Sequence, residues 1–198
     1  DYDLNEMYSE LKKSHYGQYE QYYRGLNTEI MNKQPQRPPD NRIPTPFIRL
    51  LVDTMTGYAA RPGNIRQMFS GDNLERFQEL MDYINFENDE PLHTSEVYED
   101  VCKQCESYEV FYTIEDEEGP LTLLPKFLIV PGNQFCPIYS TSASRELIGG
   151  VWFRMRGEDV WATVYEAEQT TDYVKTKGSQ DFSLVQYEDR ENPLPNPY

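Results

Sequence analysis

The chain has 198 residues, 38% of them hydrophobic and 14% aromatic, and its 34 acidic against 18 basic side chains leave a formal charge of -16. So few apolar residues give a lean core, yet the aromatic content, sixteen tyrosines included, is far too high for a disordered chain. These values describe a folded unit with much surface for neighbours, and they exclude the ordinary gripping of nucleic-acid phosphates by counterion release.

The charge is unevenly spread. Residues 1–66 hold eight acids and nine bases, whereas residues 87–118 hold twelve acids and one base, Lys103, and so carry -11 of the total. No stretch approaches the roughly twenty apolar residues that span a bilayer, and the first residues lack the basic-then-apolar order of a secretory signal. Three cysteines, an odd number, do not make a disulfide framework and point to synthesis in a reducing cytoplasm.

In chain order, Leu4, Tyr8, Leu11, His15, Tyr19 and Tyr22 recur at spacings of three and four. This predicts one helical face that Gly25 brings to a stop. Residues 32–46 form a polar, proline-rich connector in which helix cannot propagate. Thr45 followed by Pro46 predicts a helix start, with Thr45 as the capping residue and Pro46 as the first helical position. That helix runs to about Ala60 and stops before Pro62 and Gly63. Phe47, Ile48, Leu51, Met55, Tyr58 and Ala59 form its main stripe, and Leu50 and Val52 add apolar surface elsewhere, so it is expected to be buried nearly all round as the central core helix.

Asp72 with Glu75 resembles a capping box ahead of Leu74, Phe77, Leu80, Met81 and Ile84. A further helix is expected to bury Val97, Tyr98, Val101, Cys102 and Cys105, with Glu96, Glu99, Asp100 and Lys103 turned outward. After Ser107 the period changes from 3.6 to 2 as Tyr108, Val110, Tyr112 and Ile114 alternate with Glu109, Phe111, Thr113 and Glu115, the pattern of a strand with one drier face. Short β-rich runs follow at Leu121–Leu124, Phe127–Val130, Phe135–Tyr139, Leu147–Met155, Val160–Tyr165, Thr171–Thr176 and Phe182–Tyr187. Their short connections favour antiparallel neighbours. The expected class is therefore α+β: N-terminal helices packed on an antiparallel β-meander. A helical part, residues 1–106, and a sheet part, residues 107–198, together form one combined domain.

Candidate chemistry is sparse. Cys102-Lys103-Gln104-Cys105 is formally a C-x-x-C, but zinc needs about four ligands and the chain offers only His15, His93 and Cys136 besides, so a structural helix-face role is expected. The Glu115–Glu118 run reads as a solvated hairpin tip that lacks the spaced oxygens of a calcium loop. Neither histidine lies near a nucleophile elbow, and no spacing singles out a carboxylate pair for hydrolysis. Gly149-Gly150 lacks the Lys and Ser/Thr of a nucleotide loop and predicts a bulge or a close backbone approach. No catalytic residue, metal site or cofactor is expected. Arg154 and Arg156, two apart on a strand, share a face and could present forked donors to a neighbouring subunit's carboxylates.

Several segments, in their order, resemble the portal proteins of tailed bacteriophages, those of siphophages and prophages of Gram-positive bacteria. Asn41-Arg42-Ile43 through Val52-Asp53-Thr54-Met55-Thr56-Gly57-Tyr58 is similar to the family's N-[RK]-[IV] … V-D-T-x-x-G-Y helix. Tyr22-Tyr23-Arg24-Gly25 is similar to its Y-Y-x-G. Ser107-Tyr108-Glu109 resembles the start of its first strand, with Cys105 where a glycine is usual. Val151-Trp152-Phe153-Arg154 and Val160–Tyr165 fit the next two strands, and Asn196-Pro197-Tyr198 resembles the point just before its G-x-x-P.

The resemblance implies a structural subunit of a dodecameric ring at one capsid vertex, part of the DNA-packaging and ejection channel and of the head-tail connection. It implies copies of itself, the terminase large subunit, major capsid and scaffolding proteins and a head-tail adaptor as partners. Double-stranded DNA would pass through without sequence recognition, no membrane would be involved, and the location would be the virion, assembled in the host cytoplasm. Catalysis would belong to the terminase. The chain would be the truncated, wing-like body, with stem and clip absent. A virion adaptor that does not line the channel is the second reading, and a carboxylate-dependent hydrolase the third.

Overall fold

A computed structural model describes residues 2–33, 45–60, 70–71, 73–117 and 119–195. Asn41–Ile43, most of the proline-rich connector, Pro62-Gly63, the Asp72 cap, Glu118 and Asn196–Tyr198 lie outside the described residues. The chain divides into two compact units, residues 15–131 and residues 1–14 joined with 132–198.

The division falls inside the first expected helix. Two helices stand there, α1 (Leu4–Lys13) and α2 (Tyr16–Tyr23), and the expected single stripe from Leu4 to Tyr22 is broken between them. Ser14 is the cause: its backbone is extended, with ψ 163°, and both its amide and its hydroxyl donate to the Leu11 carbonyl. A serine that offers the backbone this alternative competes with helix propagation. Gly25 ends α2 as expected, in the left-handed region at φ 78°.

In the unit of residues 15–131, α2 is followed by a one-turn helix α3 (Thr28–Met31), then α4 (Phe47–Ala59), α5 (Leu74–Glu87) and α6 (Glu90–Gln104). A two-stranded antiparallel ribbon closes it, β1 (Ser107–Glu115) with β2 (Leu123–Pro131), paired from Ser107↔Pro131 to Glu115↔Leu123. The two runs Leu121–Leu124 and Phe127–Val130 are thus largely one strand. Helix α6 is the hub, contacting α2, α4, α5 and both strands.

The expectation that α4 is a fully buried central helix fails. Only Val52 and Thr56, one turn apart, are buried, while Phe47, Leu50, Met55 and Tyr58 are 57–78% exposed. Within the unit α4 packs on α2 and α6 through one stripe, and the residues of its other faces are largely exposed. Its start also differs by one position: Pro46 is itself the cap residue, and no side chain caps the helix.

Helix α6 likewise turns a different face inward from the one expected. Tyr98 and Val101 are exposed, whereas Asp100, Lys103 and Gln104 are largely covered. Charge compensation makes this possible: Lys103 pairs with Glu99 at 3.1 Å and Asp100 at 3.3 Å, and its ammonium lies 5.0 Å from the Tyr23 ring centre. The Tyr23 hydroxyl in turn donates to Glu99 at 3.0 Å, so the α2–α6 contact is polar but satisfied.

Cys105 caps α6 in the left-handed region at φ 65°. A side chain there costs what glycine does not. Cys105→Gly is expected to stabilise the unit by about 1 kcal/mol, read as a higher urea midpoint at unchanged m-value. An unchanged midpoint would show that the left-handed cap carries no strain.

In the other unit, α1 begins at Asp3, whose carboxylate accepts the amides of Asn5 and Glu6, each at 3.0 Å. After a single 3-10 turn (Gly132–Gln134) comes an antiparallel sheet in sequence order: β3 (Phe135–Tyr139), β4 (Leu147–Arg156), β5 (Asp159–Tyr165), β6 (Gln169–Lys175) and a short β7 (Ser183–Leu184), with β8 (Leu194–Pro195) also on β6. This is the expected meander, although the run Phe182–Tyr187 is reduced to a two-residue strand.

Alternation along β4 and β5 sends Val151, Phe153, Val160, Ala162 and Val164 to one face, where they form the core with Leu4 of α1. Tyr8 seals it, its ring 5.2 Å from Phe153 and edge-on to Phe182 at 6.3 Å. Gly149 and Gly150 are the close approach expected of them. A β-carbon on Gly149 would lie 2.4 Å from the Tyr165 carbonyl oxygen, and the β3–β4 register slips beside it.

Candidate functional site

The opposite face of the six-stranded sheet gathers a group of charged and aromatic side chains. Direct cross-strand pairing sets Arg154 against Trp161, Trp152 against Thr163, and Thr163 against Asp172, so all of them share that face. Arg154 and Arg156 therefore do stand on one side of β4, as their spacing requires.

Their surroundings differ. Arg154 is drawn into the unit: its guanidinium lies 4.1 Å from the Trp152 ring centre, and Nη2 donates to Thr163 Oγ1. Thr163 passes a hydrogen bond on to Asp172 Oδ1 at 2.6 Å, and Arg154 Nη2 is itself 3.9 Å from that oxygen. Desolvation holds the Arg154 pKa below the usual arginine value, with Arg156 adding to the effect and Asp172 opposing it. Arg156 remains exposed, stacked 4.7 Å from the Trp161 ring centre. Burial also pushes the neighbouring Tyr165 hydroxyl up to about 12.

Asp172 is the centre of this network. Besides Thr163, its carboxylate accepts from the Tyr187 hydroxyl at 2.8 Å and from Arg190 Nη2 at 2.9 Å, while the Arg190 guanidinium stacks on the Tyr187 ring at 3.9 Å. Asn192 completes the clamp: its Oδ1 accepts the Asp172 amide at 2.9 Å and its Nδ2 donates to the Asp172 carbonyl at 2.8 Å. Residues 185–192 are thereby fastened across the sheet. These carboxylate and guanidinium groups are occupied by one another, so the arrangement orders a surface and offers no poised acid, base or nucleophile.

Sequence reasoning found the two arginines and missed Asp172, Thr163, Tyr187, Arg190 and Asn192. No local signal marked them, since the pairing of β4 with β5 and of β5 with β6 is what brings Arg154, Thr163 and Asp172 together.

The other candidate groups have structural partners. His93 Nε2 is 2.5 Å from Glu109 Oε1, and its ring packs on Phe127 at 5.8 Å. Cys102, Cys105 and Cys136 are not joined by disulfides, and Cys136 Sγ lies 3.7 Å from the Met7 carbonyl oxygen. At the tip of the β1–β2 ribbon, Asp116 accepts the Tyr83 hydroxyl at 2.9 Å and the Leu121 amide at 3.0 Å, which leaves Glu115 and Glu117 exposed on either side of it. Desolvation and the Asp116 carboxylate push the Tyr83 hydroxyl up to about 12. Among the described residues no group of three or more His, Cys, Asp or Glu could hold a metal ion, and no helix is long and apolar enough to cross a membrane.

Comparison with known proteins agrees with a structural rather than a catalytic site. No curated protein matches the chain. The family model described as "Phage portal protein, SPP1 Gp6-like" matches residues 8–198. That span takes in the helices, the ribbon and the clamped sheet alike, and the chain belongs to the SPP1 Gp6-like phage portal proteins, structural components of the virion.

Proposed function

We propose that the chain is the wing-like body of a portal subunit that packs side by side with identical copies into a ring at the capsid vertex. The ring forms part of the channel through which DNA is packaged and ejected, and it joins head to tail. The terminase large subunit, capsid and scaffolding proteins and a head-tail adaptor are its partners, and double-stranded DNA passes without sequence recognition. The observation that carries this reading is the family match over residues 8–198.

Two physical features support it. Phe47, Leu50, Met55 and Tyr58 form an exposed apolar stripe on α4, of the kind that marks a protein–protein contact. A net charge of -16 opposes adhesion to a passing duplex. Electron microscopy and native mass spectrometry of the full-length polypeptide are expected to show closed rings. A species that stays monomeric at high concentration would reject the proposal.

A further inference from the structure

The 3-10 turn, α1 and the end of β4 enclose an open cleft of about 480 Å³. It exists because β3 stops short: the outermost β3–β4 pair is Phe135↔Trp152, while β4 continues to Arg156 and remains paired with β5 as far as Arg156↔Asp159. On the side of β4 away from β5, Phe153–Arg156 therefore form an edge with no neighbouring strand among the described residues. Such an edge spans about 13 Å, at roughly 3.3 Å per residue, and offers backbone donors and acceptors to an extended chain.

The lining of this cleft carries three cations, Lys12, Arg154 and Arg156, and no carboxylate. In a chain of charge -16 that is a local reversal of sign. Lys12 is held in place by its ammonium lying 4.3 Å from the Tyr8 ring centre, and Arg156 by its stack on Trp161. Both charges are thus oriented, and no acid stands in the lining to neutralise them.

We infer that this cleft receives an acidic turn of a second copy of the chain, the ribbon tip that carries Glu115 and Glu117. Charge complementarity selects the partner: Lys12 and Arg156 stand in the cleft with no carboxylate in its lining, and the ribbon tip carries the acidic run Glu115–Glu118. The tip is also prearranged. Asp116 is tied to Tyr83 and to the Leu121 amide, and a β-carbon on Gly119 would lie 2.1 Å from the Tyr83 hydroxyl oxygen, so the turn is tightly fitted around that tie. A preorganised turn loses little entropy on docking. The contact joins two different surfaces of the same chain and is therefore head-to-tail, the type that closes a ring. It rests on the portal reading above and names the residues through which neighbours meet.

The test uses rings of the full-length polypeptide assembled from a mixture of isotopically light and heavy copies. Treatment with a carbodiimide, which joins an amine to a carboxylate held in contact, is expected to give heavy–light links from Lys12 to Glu115 or Glu117. The Lys12→Glu/Arg156→Glu variant should lower the ring fraction roughly tenfold at low salt, and adding Glu115→Lys and Glu117→Lys should restore it. Intact rings without that link, or rings indifferent to the charge reversal, would overturn the inference and leave the portal reading standing. A double variant that assembles normally but retains less DNA would assign the cleft to phosphate instead and overturn it too. Should the double variant fail to fold, as read by its thermal transition, the cross-link in unmodified rings decides. Absence of rings from the unmodified chain would reject both readings.

Discussion

Asp172→Ala is expected to cost the sheet unit about 3 kcal/mol, because it removes the common acceptor of Thr163, Tyr187 and Arg190 and leaves Arg154 half-buried without its nearest counter-charge. The Asp172 side chain is only 14% exposed, so water does not replace what is lost. The measurement is selective: the chain has two tryptophans, Trp152 and Trp161, and both lie on this face of the sheet. Urea unfolding followed by their fluorescence therefore reports this unit. For a unit of this size the expected loss corresponds to a melting point lower by about 12–24 °C. Asp172→Asn keeps one acceptor oxygen and should cost less. A loss under about 1 kcal/mol for the alanine variant would show that the clamp over residues 185–192 is dispensable.

Gly150→Ala is the second large effect, and it acts by crowding. The new methyl would lie 2.1 Å from Phe135 Cζ and 2.5 Å from Cε1, and the Phe135 ring is itself only 8% exposed, with little room to swing aside. Overpacking of this kind costs about 3 kcal/mol. The mechanism has its own signature in a double-mutant cycle: in a Phe135→Leu background the same substitution should cost less than about 1 kcal/mol. Equal costs in both backgrounds would place the strain elsewhere. Gly149→Ala offers a contrast, since its methyl would meet the Tyr165 carbonyl oxygen at 2.4 Å, a backbone atom that no side-chain truncation relieves.

Much of the fold was legible residue by residue. The change of period after Ser107 marks the start of β1 to within one residue, Gly25 ends α2 in a left-handed turn, and the interval from Phe47 to Ala59 is helical as its spacing requires. The strands of the meander follow their alternation because period two reports a property of each strand alone. Of the candidate site, the pairing of Arg154 and Arg156 on one face was legible for the same reason. Their unequal fates were not. Arg154 is committed to Thr163 and Asp172, residues nine and eighteen positions away, whereas Arg156 lies beyond the reach of that network and stays exposed.

The faces of α4 and α6 teach the same lesson. A helical stripe in the sequence shows which side chains lie together, and for α4 it marked an apolar surface correctly. It did not show what would cover that surface, and only Val52 and Thr56 are buried. In α6 the charged side was drawn inward because Glu99, Asp100 and Lys103 neutralise one another beside Tyr23. A mutually paired set of charges tolerates burial that each charge alone would not.

By itself, then, the sequence determined the local elements, the α+β class, and, through motifs kept in order over the chain, membership of the phage portal proteins. Tertiary structure alone decided that α1 parts from α2 to cover the sheet of β3 to β6, that Asp172 fastens the segment after β7, and that β4 outruns β3 to leave a basic edge. The physical reason is range. Periodicity and capping act within a few residues, while burial and charge pairing depend on partners up to about 180 positions away, as when Asn5 donates to Asp181.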